Sequence, residues 1–356
     1  MRITFLLPFI NHRGGTQLIM ELSDRLQATG DQVTVVWPTR LKPLPTPLNE
    51  IEWAWRAPFK MLARRWWATR AAVRAVPTLA ARYVPAGDVV VATAWHTASW
   101  AAGYGPEHGR KVYYVFEPEV HHDPEACAAT YRLPFDLRLT ISEWTRSELA
   151  RRFGQELDAV TPLGLDMPRF PARPAPLSER VTRVGMLYDP SPKKGFDDGF
   201  AAFRAVRARH PELTLHLLGV PRRPPRFPDF VVPHFQATHE EKIRLFHATD
   251  VWLASSREEG WGLTPQEAMA CGVGVVTTRV GGTPYFARDG DTALVVEPGD
   301  GAALEAALER MVTDDALRRR LVEAGVRTAR AMTMDETARG FRAAVAPLCE
   351  RERCGV

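Results

Sequence analysis

Two stretches of the chain repeat one order of elements: a short run of apolar residues, a turn holding glycine, a helix with one apolar face, and another apolar run. In the first stretch residues 3–7 form the run and residues 11–15 the turn. Leu18, Ile19, Leu22 and Leu26 then fall on one helical face, Gly30 stops the helix, and residues 33–37 form the next run. A helix that crosses between two buried strands joins them in parallel, so this order predicts a parallel α/β sheet. Further strands are expected at 89–93, 112–116 and 137–142, with a helix over 145–153.

Between residues 163 and 180 the periodicity disappears and Pro168, Pro171, Pro174 and Pro176 accumulate, the composition of a linker. Beyond it the alternation restarts, with strands at 181–187, 213–218, 251–254, 273–277 and 293–296 and helices over 196–208 and 265–271. Thr238 and Glu241 have the spacing of a capping box that opens another helix. Amphipathic helices run to the end. At 356 residues and 45% hydrophobic content there is material for two cores, and a disordered or fibrous chain is excluded. The expected division is 1–165, a linker at 166–180, 181–333, and a terminal helical segment at 334–356.

Composition narrows the function further. Cys127, Cys271, Cys349 and Cys354 show no Cys-x-x-Cys pair and no nearby His at ligand spacing, which argues against a zinc site or a disulfide framework and suits a reducing cytoplasm. Residues 1–9 read as a first strand rather than the apolar region of a secretion signal, and no window approaches the ~20 apolar residues of a membrane span. Residues 53–85 contain Arg56, Lys60, Arg64, Arg65, Arg70, Arg74 and Arg82 but no acid, with Trp53, Trp55, Trp66 and Trp67 interleaved. A basic helix of that kind fits peripheral contact with an anionic membrane, where lipid-linked acceptors would be met; an ordinary amphipathic helix with its Trp residues in the core fits equally. No nucleic-acid motif accompanies it, and no nucleic-acid partner is expected.

The most informative stretch is 255–272, Ser-Ser-Arg-Glu-Glu-Gly-Trp-Gly-Leu-Thr-Pro-Gln-Glu-Ala-Met-Ala-Cys-Gly. It follows a buried strand and opens a helix. Gly260 and Gly262 form the turn, and Pro265 sits in the first helical turn, where a missing N–H costs little. Such a loop directs backbone N–H groups and a positive helix end toward the carboxyl edge of the sheet, a place suited to a diphosphate. Glu259 and Glu267 flank it, and carboxylates accept hydrogen bonds from sugar hydroxyls. The plainer reading is a solvated acidic pair at a helix start, where acids are favoured anyway.

The seven-residue interval between Glu259 and Glu267, inside Glu-Gly-Trp-Gly-Leu, resembles the Glu-x7-Glu motif of retaining glycosyltransferases of the GT-B fold, family 4 above all. Other segments follow in the same order: Met1-Arg2-Ile3 with Gly14 and Gly15; Leu139-Thr140-Ile141-Ser142; Leu163-Gly164-Leu165-Asp166 with Phe170; and Gly281-Gly282-Thr283-Pro284. The resemblance implies two facing Rossmann-like domains with an interdomain cleft. The N-terminal domain would hold the acceptor and the C-terminal domain the nucleotide sugar, with the last helix packing back toward the N-terminal domain. Glu267 would hold the donor ribose and Glu259 the transferred sugar. Gly260, Trp261, Gly262, Leu263 and Thr264, with Gly15, would approach the diphosphate, and Lys194, with Lys193 as second choice, would neutralise it as it leaves.

Two departures from the family pattern stand out. Gly185-Met186-Leu187 replaces its Gly-Arg-Leu, so a second phosphate cation is missing there, with Arg257 or Lys193 as substitutes. Near Phe116 the usual His gives way to Glu117 and Glu119, making Glu117 a candidate catalytic group; Glu119, His121 and His96 are acceptor-side candidates. For His96 a structural role is an equal reading, and Cys271 reads as packing. The co-substrate would be a UDP-, GDP- or dTDP-sugar carrying a hexose or deoxyhexose. No metal is required, since the sole Asp-x-Asp, Asp289-Gly290-Asp291, reads as a turn. The rival readings are a GT-B sugar-nucleotide epimerase and a catalytically inactive binding module. The expected location is the cytoplasm, including the inner membrane face.

Overall fold

The computed structural model describes residues 1–10, 14–40, 69–119, 123–219 and 225–353. The chain divides into two units, Met1–Pro162 with Met334–Val356, and Leu163–Thr333.

The first unit is built on β1 (Arg2–Leu6), α1 (Gly14–Ala28), β2 (Gln32–Pro38), β3 (Ala72–Val76), β4 (Val89–Ala92), α2 (Trp95–Ala101), β5 (Arg110–Val115), α3 (Pro124–Thr130), β6 (Leu137–Thr140), α4 (Glu143–Phe153) and β7 (Ala159–Val160). Among the described residues its seven strands pair in parallel in the order β3-β2-β1-β4-β5-β6-β7. A parallel sheet is covered on both faces, which is why β4 reads Val-Val-Val-Ala and is buried throughout. Leu18, Ile19, Leu22 and Leu26 of α1 are all buried, as their helical spacing requires. The terminal helix Met334–Arg353 belongs to this unit: Phe341 meets the rings of Phe5 and Tyr114 at 5.5 and 5.6 Å, and Arg342 pairs with Asp31 at 3.1 Å.

Within the basic stretch 53–85, the described residues 69–85 do not form the expected helix. Residues 53–68 lie outside the described residues; of the remainder, Ala72–Val76 is the edge strand β3 and Ala81–Tyr83 a single 3₁₀ turn. Val73 and Val76 suit an extended backbone, Pro77 ends it, and β2 offers an edge to pair with, none of which the basic composition of the stretch signals. Among the described residues no helix is long and apolar enough to cross a membrane.

The second unit carries β8 (Arg183–Tyr188), α5 (Phe196–Arg209), β9 (Thr214–Gly219), β10 (Val231–Phe235), α6 (His239–Ala248), β11 (Val251–Ala254), α7 (Leu263–Ala270), β12 (Gly274–Thr278), α8 (Thr283–Phe286), β13 (Leu294–Val296), α9 (Gly301–Thr313) and α10 (Asp315–Ala331). Its six strands are parallel, in the order β10-β9-β8-β11-β12-β13. Val184, Met186, Leu215, Leu217, Leu253 and Val276 form the centre of its core. Strand β10 has no clear sequence signal because Pro233 interrupts it; proline lacks a ladder donor, and the strand is accordingly at the edge.

Residues 163–180, expected as a linker, lie within the second unit and are fastened along it. Phe170 is fully buried, and Arg173 N–H donates to the Cys271 carbonyl at 3.0 Å. Fully buried Arg318 on α10 donates to the Ser178 carbonyl at 2.7 Å, to the carbonyls of Glu179 and Met311, and to Asp315. The prolines suit this course because an extended strap held by side chains needs few backbone donors. Replacing Arg318 by Met orphans these carbonyls. The variant is expected to lose on the order of 3 kcal/mol in urea unfolding and to become cleavable within 163–180, whereas an unchanged midpoint would show that the strap is held without it.

His216 on β9 and His234 on β10 face each other, Nδ1 to Nε2 at 3.0 Å. Burial, reinforced by His234 and Arg183, pushes His216 down to about 4, and burial also lowers His234. The native state resists protonation that the unfolded chain accepts, so this pair stabilises the fold above about pH 6.5 and the contribution drains away as pH falls toward about 4. Melting temperature should drop across that window, and His216→Asn should flatten the drop; an equal slope in the variant would assign the effect elsewhere.

Candidate functional site

In the second sheet the strand order reverses between β8 and β11, so the connections that follow these strands lead to opposite faces and leave a crevice at the carboxyl edge. Met186, Lys194, Ser256, Glu259, Thr278 and Thr283 line a cavity there.

The loop after β8 is pressed against the loop after β11. Gly195 has φ 58°, and a Cβ on it would stand 2.0 Å from the Ser255 carbonyl oxygen, so glycine is required both for conformation and for contact. The Lys193 carbonyl accepts N–H groups from Arg257 at 2.7 Å and Glu258 at 3.0 Å, and Ser255 Oγ donates to the Gly195 carbonyl at 2.8 Å. Arg257 closes the junction with a two-pronged pair to Asp198 on α5, at 2.7 and 2.8 Å. The result is an ion pair between Lys194 Nζ and Glu259 Oε2 at 2.8 Å, with the two side chains only 18% and 17% exposed. Ser256 Oγ donates to the other Glu259 oxygen at 2.9 Å.

The turn after β12 closes over Trp261. A Cβ on Gly282 would fall 2.0 Å from the indole ring, and its N–H donates to the Trp261 carbonyl at 2.9 Å. Trp261 is buried, with Nε1 donating to Gln266 at 2.7 Å. The indole thus supports the loop from beneath. Gly262, at φ 100°, turns the chain into α7, whose first-turn N–H groups have no acceptor within the helix. Leu263 and Thr264 begin that helix.

One helical turn along α7, Glu267 is 3% exposed. Its Oε1 accepts from Lys242 Nζ at 2.9 Å, while Oε2 is buried with no hydrogen-bond partner among the described residues. Lys242, on α6, also stands 5.3 Å from the centre of the Phe170 ring. Lys242, Asp198 and Ser256 were not legible as site residues. A lysine on an amphipathic helix and an aspartate in a first helical turn read as solvated surface, and only packing carries them to the loop.

Residues 178–314 match the family model of glycosyl transferases group 1. That match falls in the second unit, which is thus similar to group 1 glycosyl transferases over those residues. The chain is 30% identical over 203 residues to the glycogen synthase of Mycobacterium tuberculosis, a match covering 53% of this chain and 48% of that protein. It is 29% identical over 274 residues to the D-inositol 3-phosphate glycosyltransferase of Acidothermus cellulolyticus, covering 68% and 57%. The matches thus span about half the length of these curated relatives. In fold the likeness is complete: Anabaena HepE in complex with UDP-glucose superposes with a TM-score of 0.76 over 98% of this chain and 100% of that one, at 15% identity. The architecture is the GT-B fold of two Rossmann-like units.

Within the second unit, Met186 is a buried core residue of β8 that also lines the cavity, and it brings no charge there. Arg257, nominated in its stead, is committed to Asp198. Lys193 is half-buried, and its carbonyl holds the junction described above. Asp289 accepts the N–H of Val295 at 2.9 Å and Asp291 pairs with Arg288 at 2.8 Å, so Asp-Gly-Asp is a turn ahead of β13. Burial pushes the Cys271 thiol up to about 12, consistent with packing.

In the first unit, Gly15 is exposed at the start of α1, and a Cβ there would reach 4.0 Å from the Phe116 ring. Glu117 is half-buried, just past β5. Glu119 accepts the Trp95 N–H at 2.8 Å and so caps α2, and the His96 ring lies 3.7 Å from the Trp95 ring, tilted by 31°. His121 lies outside the described residues. Gly195→Ala tests the junction: a left-handed alanine costs ~1–2 kcal/mol before any overlap with Ser255 is counted. Its melting temperature should fall and binding of any ligand at the crevice should weaken together with it. A variant unchanged in both would mean the two loops hold their places independently.

Proposed function

We propose that the protein is a retaining glycosyltransferase that moves a sugar from a nucleotide-sugar donor to a glycan, lipid-linked or small-molecule acceptor. The donor would bind the second unit and the acceptor the first. The observation that carries this reading is the pair of acids, one half-buried and one buried, on either side of one glycine-bounded turn. Glu259 is held against a lysine, and Glu267 keeps one buried oxygen without a partner among the described residues. A buried carboxylate oxygen in that condition is suited to accept a ligand hydroxyl.

In this reading Glu267 Oε2 accepts from the donor ribose, and Glu259 from the hydroxyls of the sugar. The diphosphate lies between, against the N-terminal turn of α7 and Lys194. As the bond from the anomeric carbon to phosphate oxygen breaks, its electron pair passes to the diphosphate, whose growing charge Lys194 shares with Glu259. The acceptor hydroxyl attacks on the face the diphosphate leaves, and its proton passes to the departing phosphate oxygen. Configuration is retained and no general base is needed. Lys194 and the helix end supply the positive charge, so the reaction as proposed proceeds without a metal. The UDP-glucose bound by HepE, and the match to group 1 transferases, support a nucleotide-sugar co-substrate.

Calorimetric titration with UDP, GDP and dTDP provides the test, with the corresponding nucleotide sugars assayed for hydrolysis and transfer. The wild type should bind at least one of them, and Glu267→Ala should weaken that binding about 10-fold or more. Lys194→Ala should lower turnover by ~10²–10³ with a smaller change in donor KM. A wild type that binds no nucleotide overturns the reading, and a product of inverted anomeric configuration overturns retention.

A further inference from the structure

The ion pair that takes up half of the Glu267 carboxylate is not explained by folding alone. Lys242 reaches Glu267 from another helix across 25 residues of sequence, and both groups are largely buried, the lysine 15% and the glutamate 3% exposed. Charged pairs taken out of water gain little net stability over apolar packing, so a buried pair at a site invites a role in placing a group. Both ends of this one are fixed. Glu267 sits mid-helix in α7, flanked by buried residues. Lys242 follows the N-terminus of α6, which is locked by a reciprocal cap: Thr238 Oγ1 accepts the Glu241 N–H at 3.2 Å and Glu241 accepts the Thr238 N–H at 2.7 Å. Phe170, fully buried, stands beside the ammonium, and its ring is met edge-on by His239 at 5.3 Å.

A carboxylate with both oxygens open can rotate and accept a pair of neighbouring hydroxyls in either order. With Oε1 held by Lys242, rotation is stopped and Oε2 alone lacks a protein donor among the described residues. We infer that Lys242 is a positioning residue that fixes the Glu267 carboxylate so that a single oxygen meets a single ribose hydroxyl, making nucleotide recognition selective for ribose over deoxyribose. The inference rests on the donor-site reading above and adds to it the class of donor, a ribonucleoside diphosphate sugar. Lys242 touches Glu267 and acts through it.

The experiment compares affinities for a nucleoside diphosphate and its 2′-deoxy and 3′-deoxy forms by calorimetry, with UDP and GDP as the two starting series. For the wild type, loss of one of the two hydroxyls should cost about 10-fold or more in affinity and loss of the other distinctly less. Lys242→Met should bring all three within about threefold of one another, mainly by weakening the ribose form, because the freed carboxylate no longer favours one hydroxyl. Since that variant leaves a buried acid without its cation, the double variant K242M/E267Q, which removes the charge, is measured beside E267Q. The two should show the same residual selectivity. A Lys242→Met protein that weakens all three ligands by one common factor overturns the inference and leaves the lysine a purely structural part. So does further loss of selectivity in K242M/E267Q relative to E267Q, which would mean the lysine acts other than through Glu267. A wild type that binds neither series defeats the donor-site reading itself, and this inference with it.

Discussion

The contact between the loop after β8 and the loop after β11 is the constraint on which the rest of the second unit's chemistry depends. Neither loop has regular structure enough to hold a charged side chain in place. Pressed together they do, because a glycine without a side chain lets the Ser255 carbonyl approach Gly195, and the Lys193 carbonyl collects two N–H groups from the opposite loop. The Arg257–Asp198 pair ties the same junction to α5. At the surface such a pair adds little stability. Here its geometric effect matters more, since it fixes one loop relative to the helix that follows the other. Lys194 meets Glu259 only because both backbones are already placed.

The sheet explains why this junction lies where it does. In a parallel sheet every strand delivers its following loop to the same edge, and only where the strand order reverses do the connections of neighbouring strands lead on to opposite faces and leave a crevice. In the second unit that reversal lies between β8 and β11, the two strands whose loops carry Lys194 and Glu259. The turn after β12 completes the arrangement from the next strand over, with Gly282 against the Trp261 ring and Gly281 against the Glu259 carbonyl. The first unit has the same reversal between β1 and β4. There the polar groups serve local structure more visibly, with Glu119 capping α2 and the His96 ring tilted against Trp95.

Polar side chains elsewhere in the second unit do mechanical work of a related kind. Arg318 lies wholly inside the protein and spends its guanidinium on backbone carbonyls of the segment 178–179, and Gln266 links Trp261 to the Leu163 carbonyl. Through these contacts a proline-rich stretch without regular structure becomes part of the wall of the domain, and it brings Phe170 to the side of Lys242. Buried polar groups need partners, so each one specifies a geometry that apolar packing alone would leave loose.

Much of this was present in the sequence in local form. The strand, turn and helix periods of the second unit, the capping box at Thr238, the glycine turns around Trp261 and the two acids eight positions apart are all set by residues close in the chain, whose spacing decides which way they point. The edge strands β3 and β10 were less legible, because an edge strand is stabilised by a neighbour far along the chain and tolerates arginine and proline that a central strand would not. The strap at 163–180 looked like a linker for the same reason, since its fastenings are side chains some 140 residues away. The sequence by itself determined which residues carry charge and which turns admit no side chain. Only the tertiary structure decided that Lys194 belongs to Glu259 and Lys242 to Glu267, because those pairings come from helices and loops that meet across the sheet, and no spacing along the chain encodes such a meeting.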